Sequence, residues 1–152
     1  MRLILGIFKS FKYAFRGVML CIRSETNFRI HMMAVFYVST FSFIYRLHYI
    51  EYILLFMTFG FVIFAEMINT VIEIIINMKV NSFDPLARNA KDITAGAVMI
   101  FSFFSVMIAF FLFNDPVKWM NVFSILKNNF PLSIALLISL VPALIFIKGR
   151  KK

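Results

Sequence analysis

Phe64–Asn77, FAEMINTVIEIIIN, sets Glu66, Asn69, Glu73 and Asn77 into a run that is otherwise apolar. At about 100° per residue, Glu66, Asn69, Thr70, Glu73 and Asn77 share one stripe of a helix. Ile63, Met67, Ile68, Val71, Ile72, Ile74 and Ile75 occupy its other faces. Such a helix can turn one side to lipid. Its stripe must face protein, water or a ligand, because an unpaired carboxylate in hydrocarbon costs several kcal/mol.

Outward from this stretch the chain stays apolar. Of its 152 residues 62% are hydrophobic and 18% aromatic, and the mean hydropathy is +0.89, well beyond a soluble domain. The chain reads as an integral membrane protein. A net charge of +9 on so apolar a chain points to anionic headgroups and cytoplasmic loops rather than nucleic acid, and also suits a phosphorylated small molecule. Cys21 is the single cysteine, which excludes intrachain disulfides and paired-thiol redox motifs. The first apolar run is broken by Lys9, Lys12, Arg16 and Arg23. It therefore does not read as a cleaved signal peptide, and the chain is expected to keep its N-terminus.

Residues 3–23 alternate apolar and basic positions at helical spacing, the pattern of an amphipathic helix lying in the membrane interface. Spans are expected over about 31–45, 52–78, 93–113 and 131–147. A loop containing Pro85 lies between the second and third, an external linker covers 114–130, and a basic tail covers 148–152. With the N-terminus inside, all of the 16 lysines and arginines except Arg46, Lys118 and Lys127 fall on the cytoplasmic side. The second span then runs inward, and from Ile50 to Glu66 it rises about 24 Å of a core about 30 Å thick. Glu66 lies just beneath the headgroups, with Glu73 about 10 Å further on. Glu25, Lys91 and Asp92 join Glu73 in a cytoplasmic layer.

Two carboxylates from different helices, Glu25 and Glu73, suit magnesium together with substrate phosphates and waters. Glu66 sits where the hydroxyl of a membrane lipid would rest and could take its proton, and Lys91 could balance phosphate charge. This is the layout of phosphoryl transfer at an interface. No GxxxxGK or GxGxxG occurs, which excludes a glycine-rich phosphate cradle. Plainer readings stand beside these. Glu66 and Asn69 could be interhelical glue, Glu25 an interfacial acid, Asp92 a helix cap, Lys91 a positive-inside residue, Asp84 a turn residue before Pro85, and His31 and His48 interfacial polar groups.

SETNFRIH at 24–31, AEMINTVIE at 65–73 and LARNAKDITAGAV at 86–98 resemble, in order and spacing, the small bacterial diacylglycerol kinase and undecaprenol kinase family of integral membrane enzymes. FKSFKYAFRG at 8–17 is similar to the family's surface helix, and the match covers about residues 5–113. The resemblance implies an all-α membrane protein with an N-terminal interfacial amphipathic helix and a three-helix transmembrane kinase core. To these this chain adds an extra fourth C-terminal transmembrane helix. The resemblance implies Glu66 as catalytic base supported by Asn69, and Glu25 and Glu73 as ligands of Mg2+ and the nucleotide. It further implies ATP contacts from Tyr13, Ser82, Phe83, Asp84, Lys91 and Asp92, and a lipid site formed by Glu66, Arg29 and Ala95. A homotrimer with shared active sites in the bacterial cell membrane, its sites and both termini cytoplasmic, completes the expectation.

The chain departs from the family's pattern at three places. Asn77 stands where many relatives carry an acid, Asp84 where a histidine is common, and Gly6 where some use an arginine. The forms SFKYAF, NFRIH and AKDITAGAV look more like the undecaprenol kinase branch, so ATP-dependent phosphorylation of undecaprenol is the expected activity. Diacylglycerol is the alternative acceptor, and an ion-conducting or structural membrane oligomer is the alternative of another class. Residues 114–152 lie outside the resemblance.

Overall fold

The computed structural model describes residues 2–79 and 84–149, which form six helices and no strand. In chain order these are α1 (Arg2–Ser24), α2 (Thr26–Tyr45), α3 (Tyr49–Lys79), α4 (Pro85–Leu112), α5 (Pro116–Asn128) and α6 (Phe130–Lys148). Four of them, α2, α3, α4 and α6, are long and apolar enough to cross a membrane. Phe36, Phe43, Phe103, Phe110 and Leu144 are exposed on their outer faces, a surface made for hydrocarbon rather than water.

The boundaries follow from local chemistry. Glu25 is extended (φ −110°, ψ 123°) and turns the chain between α1 and α2. Arg46, in the left-handed region at φ 59°, ends α2. Glu51 accepts the His48 N–H at 2.6 Å and closes the first turn of α3, half of a capping box. Asp84 receives the Leu86 and Ala87 N–H groups ahead of Pro85, and Asp115 receives those of Val117 and Lys118 ahead of Pro116. An acidic cap followed by proline at the first helical position is a strong start signal.

The second of these signals accounts for the main difference from the sequence reading. Residues 114–130 were expected as a linker, yet α5 forms within them because Trp119, Val122 and Leu126 recur at helical spacing and all turn to one cluster. There Tyr45, Leu55 and Val122 are fully buried with Phe41, Phe113 and Trp119 around them. The Tyr45 hydroxyl receives the Asp115 N–H at 2.8 Å, and Trp119 Nε1 donates to the Phe113 carbonyl at 2.7 Å. Helix α4 likewise starts eight residues before the expected span, so Asp92 lies inside it and is not its cap.

α3 packs chiefly against α4, while α2 touches α1, α3, α5 and α6. Pro142 lies within α6, lacks the N–H that would bond the Ile138 carbonyl, and loosens that turn. The Tyr37 hydroxyl of α2 reaches the adjacent Ser139 carbonyl at 2.8 Å. At the other end of α6, Arg29 Nε donates to the Ile147 carbonyl at 3.0 Å. Gly149 ends α6 at φ 61°, ψ 174°, where a Cβ would stand 2.9 Å from the Arg29 guanidinium carbon. The backbone region demands glycine, and any Cβ there would also push the Arg29 guanidinium aside. Gly149→Ala is therefore expected to cost about 1–3 kcal/mol. Gly17→Ala, where a Cβ meets no atom within 4 Å, should be neutral or slightly stabilising. Thermal unfolding midpoints in detergent check the pair.

Candidate functional site

The acid stripe of α3 faces the interior at its middle and emerges toward its end. Glu66 and Thr70 are 1% exposed and Asn69 7%, Glu73 is half-buried and Asn77 exposed. Glu66 Oε1 has no aligned hydrogen-bond donor, and His31 Nε2 of α2 stands 3.2 Å from it. The Glu66 main-chain carbonyl receives the Thr70 hydroxyl at 2.9 Å. A carboxylate this buried and this thinly partnered is held at a cost that packing alone does not justify.

Asn69 sits one turn on and links three groups. Its Nδ2 lies 3.5 Å from Glu73 Oε1, and its Oδ1 is 2.7 Å from the Thr94 hydroxyl, which also lies 3.0 Å from the Lys91 carbonyl. Thr94 thus ties α4 to the stripe. A turn further, Lys91 Nζ donates to Asn77 Oδ1 at 2.8 Å. The Lys91 ammonium is therefore held beside the end of α3, on the side to which the carboxylates emerge.

Glu25 completes the group from the elbow between α1 and α2. It occupies the cap position of α2 but makes no capping hydrogen bond, so its carboxylate is not spent on its own helix. Burial pushes the Glu25 pKa up, and the charges of Glu73 and Glu66 add to the rise, against the Ser24 hydroxyl and Arg29. Burial likewise pushes up the thiol pKa of Cys21, buried one turn before. Two half-buried carboxylates that repel each other suit a hard divalent cation, whose remaining positions go to waters and phosphate oxygens. Among the described residues no cluster of three or more histidines, cysteines or acids supplies a complete metal cage.

Other expected site residues have different surroundings. The Arg29 guanidinium, 8% exposed, donates to the Ile22 carbonyl at 2.9 Å, to Ile147 of α6 and to the Thr26 hydroxyl at 2.9 Å. It caps the C-terminal ends of two helices, where a cation is favoured. Asp84 is spent on the first turn of α4. Asp92 lies 3.8 Å from Arg88 at the surface, Ala95 is exposed, and Tyr13 is 66% exposed on α1. Ser82 and Phe83 lie outside the described residues.

Beside Glu66 an apolar crevice of about 200 Å³ opens between α2 and α4, with α3 as its floor. Val35 and Val38, Leu55 and Val62, Val106 and Ala109 line it, and His31 forms part of its wall. Among the described residues α2 and α4 do not pack on each other, which leaves the crevice open. An alkyl chain suits such a slot, and its polar end would meet His31, which stands against Glu66.

His31 is the site residue the sequence reading passed over as an interfacial group. Its signal was present: it follows Glu25 by six residues on a helix antiparallel to the one where Glu66 precedes Glu73 by seven. These rises are about 9 and 10.5 Å, so His31 and Glu66 reach nearly equal depth.

The prokaryotic diacylglycerol kinase family model matches residues 12–113. An undecaprenol kinase of Bacillus subtilis (strain 168) is 37% identical over 106 residues, which make up 70% of this chain and 86% of the relative. A diacylglycerol kinase of Synechocystis sp. (strain ATCC 27184 / PCC 6803 / Kazusa) is 33% identical over 108 residues, 70% of this chain and 62% of that relative. No solved structure matches. The matched segment contains Glu25, Glu66, Asn69, Glu73 and Lys91 and stops where α4 ends, so that α5 and α6 stand apart from it. With its membrane-length helices and interior acid stripe, the chain belongs to the prokaryotic diacylglycerol kinase family and is a multi-pass membrane lipid kinase.

Proposed function

We propose that the protein transfers the γ-phosphoryl group of ATP to the hydroxyl of undecaprenol, on the cytoplasmic face of the bacterial cell membrane, in recycling of the cell-wall lipid carrier. One observation carries this reading: the buried Glu66 carboxylate stands 3.2 Å from His31, which lines an apolar crevice, and precedes the more exposed Glu73 by two helical turns on α3. The 37% identity to an undecaprenol kinase along 86% of that relative supports the choice of acceptor.

In this mechanism the lipid lies in the crevice with its hydroxyl at Glu66. Glu66 takes the hydroxyl proton as the lipid oxygen bonds the γ-phosphorus, and the bond from that phosphorus to the bridging oxygen breaks toward ADP. Glu25 and Glu73 would hold Mg2+ beside the nucleotide, and the ion would supply positive charge to balance that developing on the phosphates. Asn69 fixes Glu73 relative to Glu66, and Thr94 fixes Asn69. Lys91 presents its ammonium to the phosphates from the end of α3. Arg29 acts by positioning the elbow that carries Glu25. The basic side of α1 rests on headgroups, and a homotrimer with shared sites covers part of the apolar flanks.

The experiment compares acceptors. Purified protein in mixed micelles receives ATP, magnesium and either undecaprenol or diacylglycerol, and kcat/KM is measured for each. Higher kcat/KM for undecaprenol is the expected outcome. Preference for diacylglycerol, the activity named for the Synechocystis relative, would overturn the acceptor and retain the chemistry.

A further inference from the structure

We propose that His31 is a positioning residue for Glu66, the two forming a carboxylate–imidazole pair at the head of the crevice. The inference rests on the reading of Glu66 as the group that takes the hydroxyl proton. Glu66 Oε1 is buried with no aligned donor, and a buried carboxylate oxygen needs one. His31 Nε2, 3.2 Å away on the facing helix, becomes that donor with a small rotation of either side chain. The imidazole is 22% exposed and lines the crevice while the carboxyl is 2% exposed, so His31 joins the wall of the crevice to the acid.

The pair does two things for the chemistry. Donation from Nε2–H to Oε1 fixes the carboxylate plane and leaves Oε2 for the substrate hydroxyl, and a base held in one orientation raises the turnover step more than binding. The wall of the crevice also becomes polar at this one point, which seats an alcohol end-on. His31 keeps its own proton throughout. The proton released from the lipid hydroxyl goes to Glu66 Oε2, as the oxygen–phosphorus bond forms.

Full-length His31→Leu and His31→Gln proteins are compared with wild type for kcat, KM for lipid and KM for ATP, with thermal midpoints recorded alongside. His31→Leu should lose about ten-fold or more in kcat, with KM for ATP unchanged and the midpoint retained. His31→Gln, whose amide can still donate, should recover to within about three-fold of wild type. Retention of kcat in His31→Leu, or equal impairment of Leu and Gln, would overturn the pair. An activity-independent measurement accompanies these: the imidazole 15N resonances of His31 should shift when Glu66 is replaced by Gln, and unchanged resonances would refute the contact. Failure of the wild type to phosphorylate any lipid alcohol would instead sink the kinase mechanism, leaving the resonance experiment to decide the pair.

Discussion

Glu66→Gln should give a protein that folds, inserts and binds nucleotide but transfers phosphate about 10²–10⁴-fold more slowly, the range lost with a positioned general base. The amide keeps the shape of the carboxyl, so its fit in this buried position is preserved. The replacement also removes a charge from a site where Oε1 has no aligned donor. Stability should hold or rise, since a neutral buried group needs less compensation than an ionised one. Loss of turnover together with a retained or raised unfolding midpoint separates a catalytic role from an interhelical one. Interhelical glue would show the reverse, a lowered midpoint with turnover falling only in proportion to folded protein.

Glu25→Gln is expected to have the second largest effect. In its proposed role as a magnesium ligand, Glu25 should matter at least as much as outer partners of metal sites, whose loss weakens affinity or activity about 10–100-fold. The apparent affinity for magnesium should therefore fall by about ten-fold or more, and saturating metal should restore part of the rate. The same substitution changes stability in the opposite sense. Burial and the charges of Glu73 and Glu66 raise the Glu25 pKa in the folded protein, so folding favours its neutral form. That contribution is fully present below the ordinary glutamate pKa and is lost as pH rises through the raised one. Without magnesium, the unfolding midpoint of the wild type should fall across this window, and the fall should be smaller in Glu25→Gln. Equal slopes in the two proteins would contradict the electrostatic picture of the elbow.

The contrast between α3 and α5 explains what could be read from the chain. In α3 the stripe is legible because carboxylates amid isoleucines conflict with every lipid-facing position, and helical geometry leaves them one face. The four membrane-length helices were legible for a similar reason, since runs of that length and apolarity have few alternatives. α5 was not, because its polar and charged residues resemble a loop until Tyr45 and Phe113 are brought beside Trp119 and Val122. Arg29 shows the same limit. The resemblance implies a lipid contact for it, and what the sequence does not show is that its hydrogen bonds end α1 and α6, the α6 partner being 118 residues away. His31 needed only the pairing of two helices at one depth, but an apolar neighbourhood made it look incidental. In each case the deciding partner comes from another helix, and side-chain spacing along one helix does not reveal it.

The central claim, that this membrane protein moves a phosphoryl group from ATP to a lipid alcohol at Glu66, is tested most directly by following the label. Wild type and Glu66→Gln, each verified as folded in mixed micelles, receive γ-labelled ATP, magnesium and the two lipid alcohols, and the lipid fraction is resolved. The expected result is a labelled lipid monophosphate from the wild type and almost none from the variant. Label absent from lipid with folded wild type, or equal in the two proteins, would contradict it.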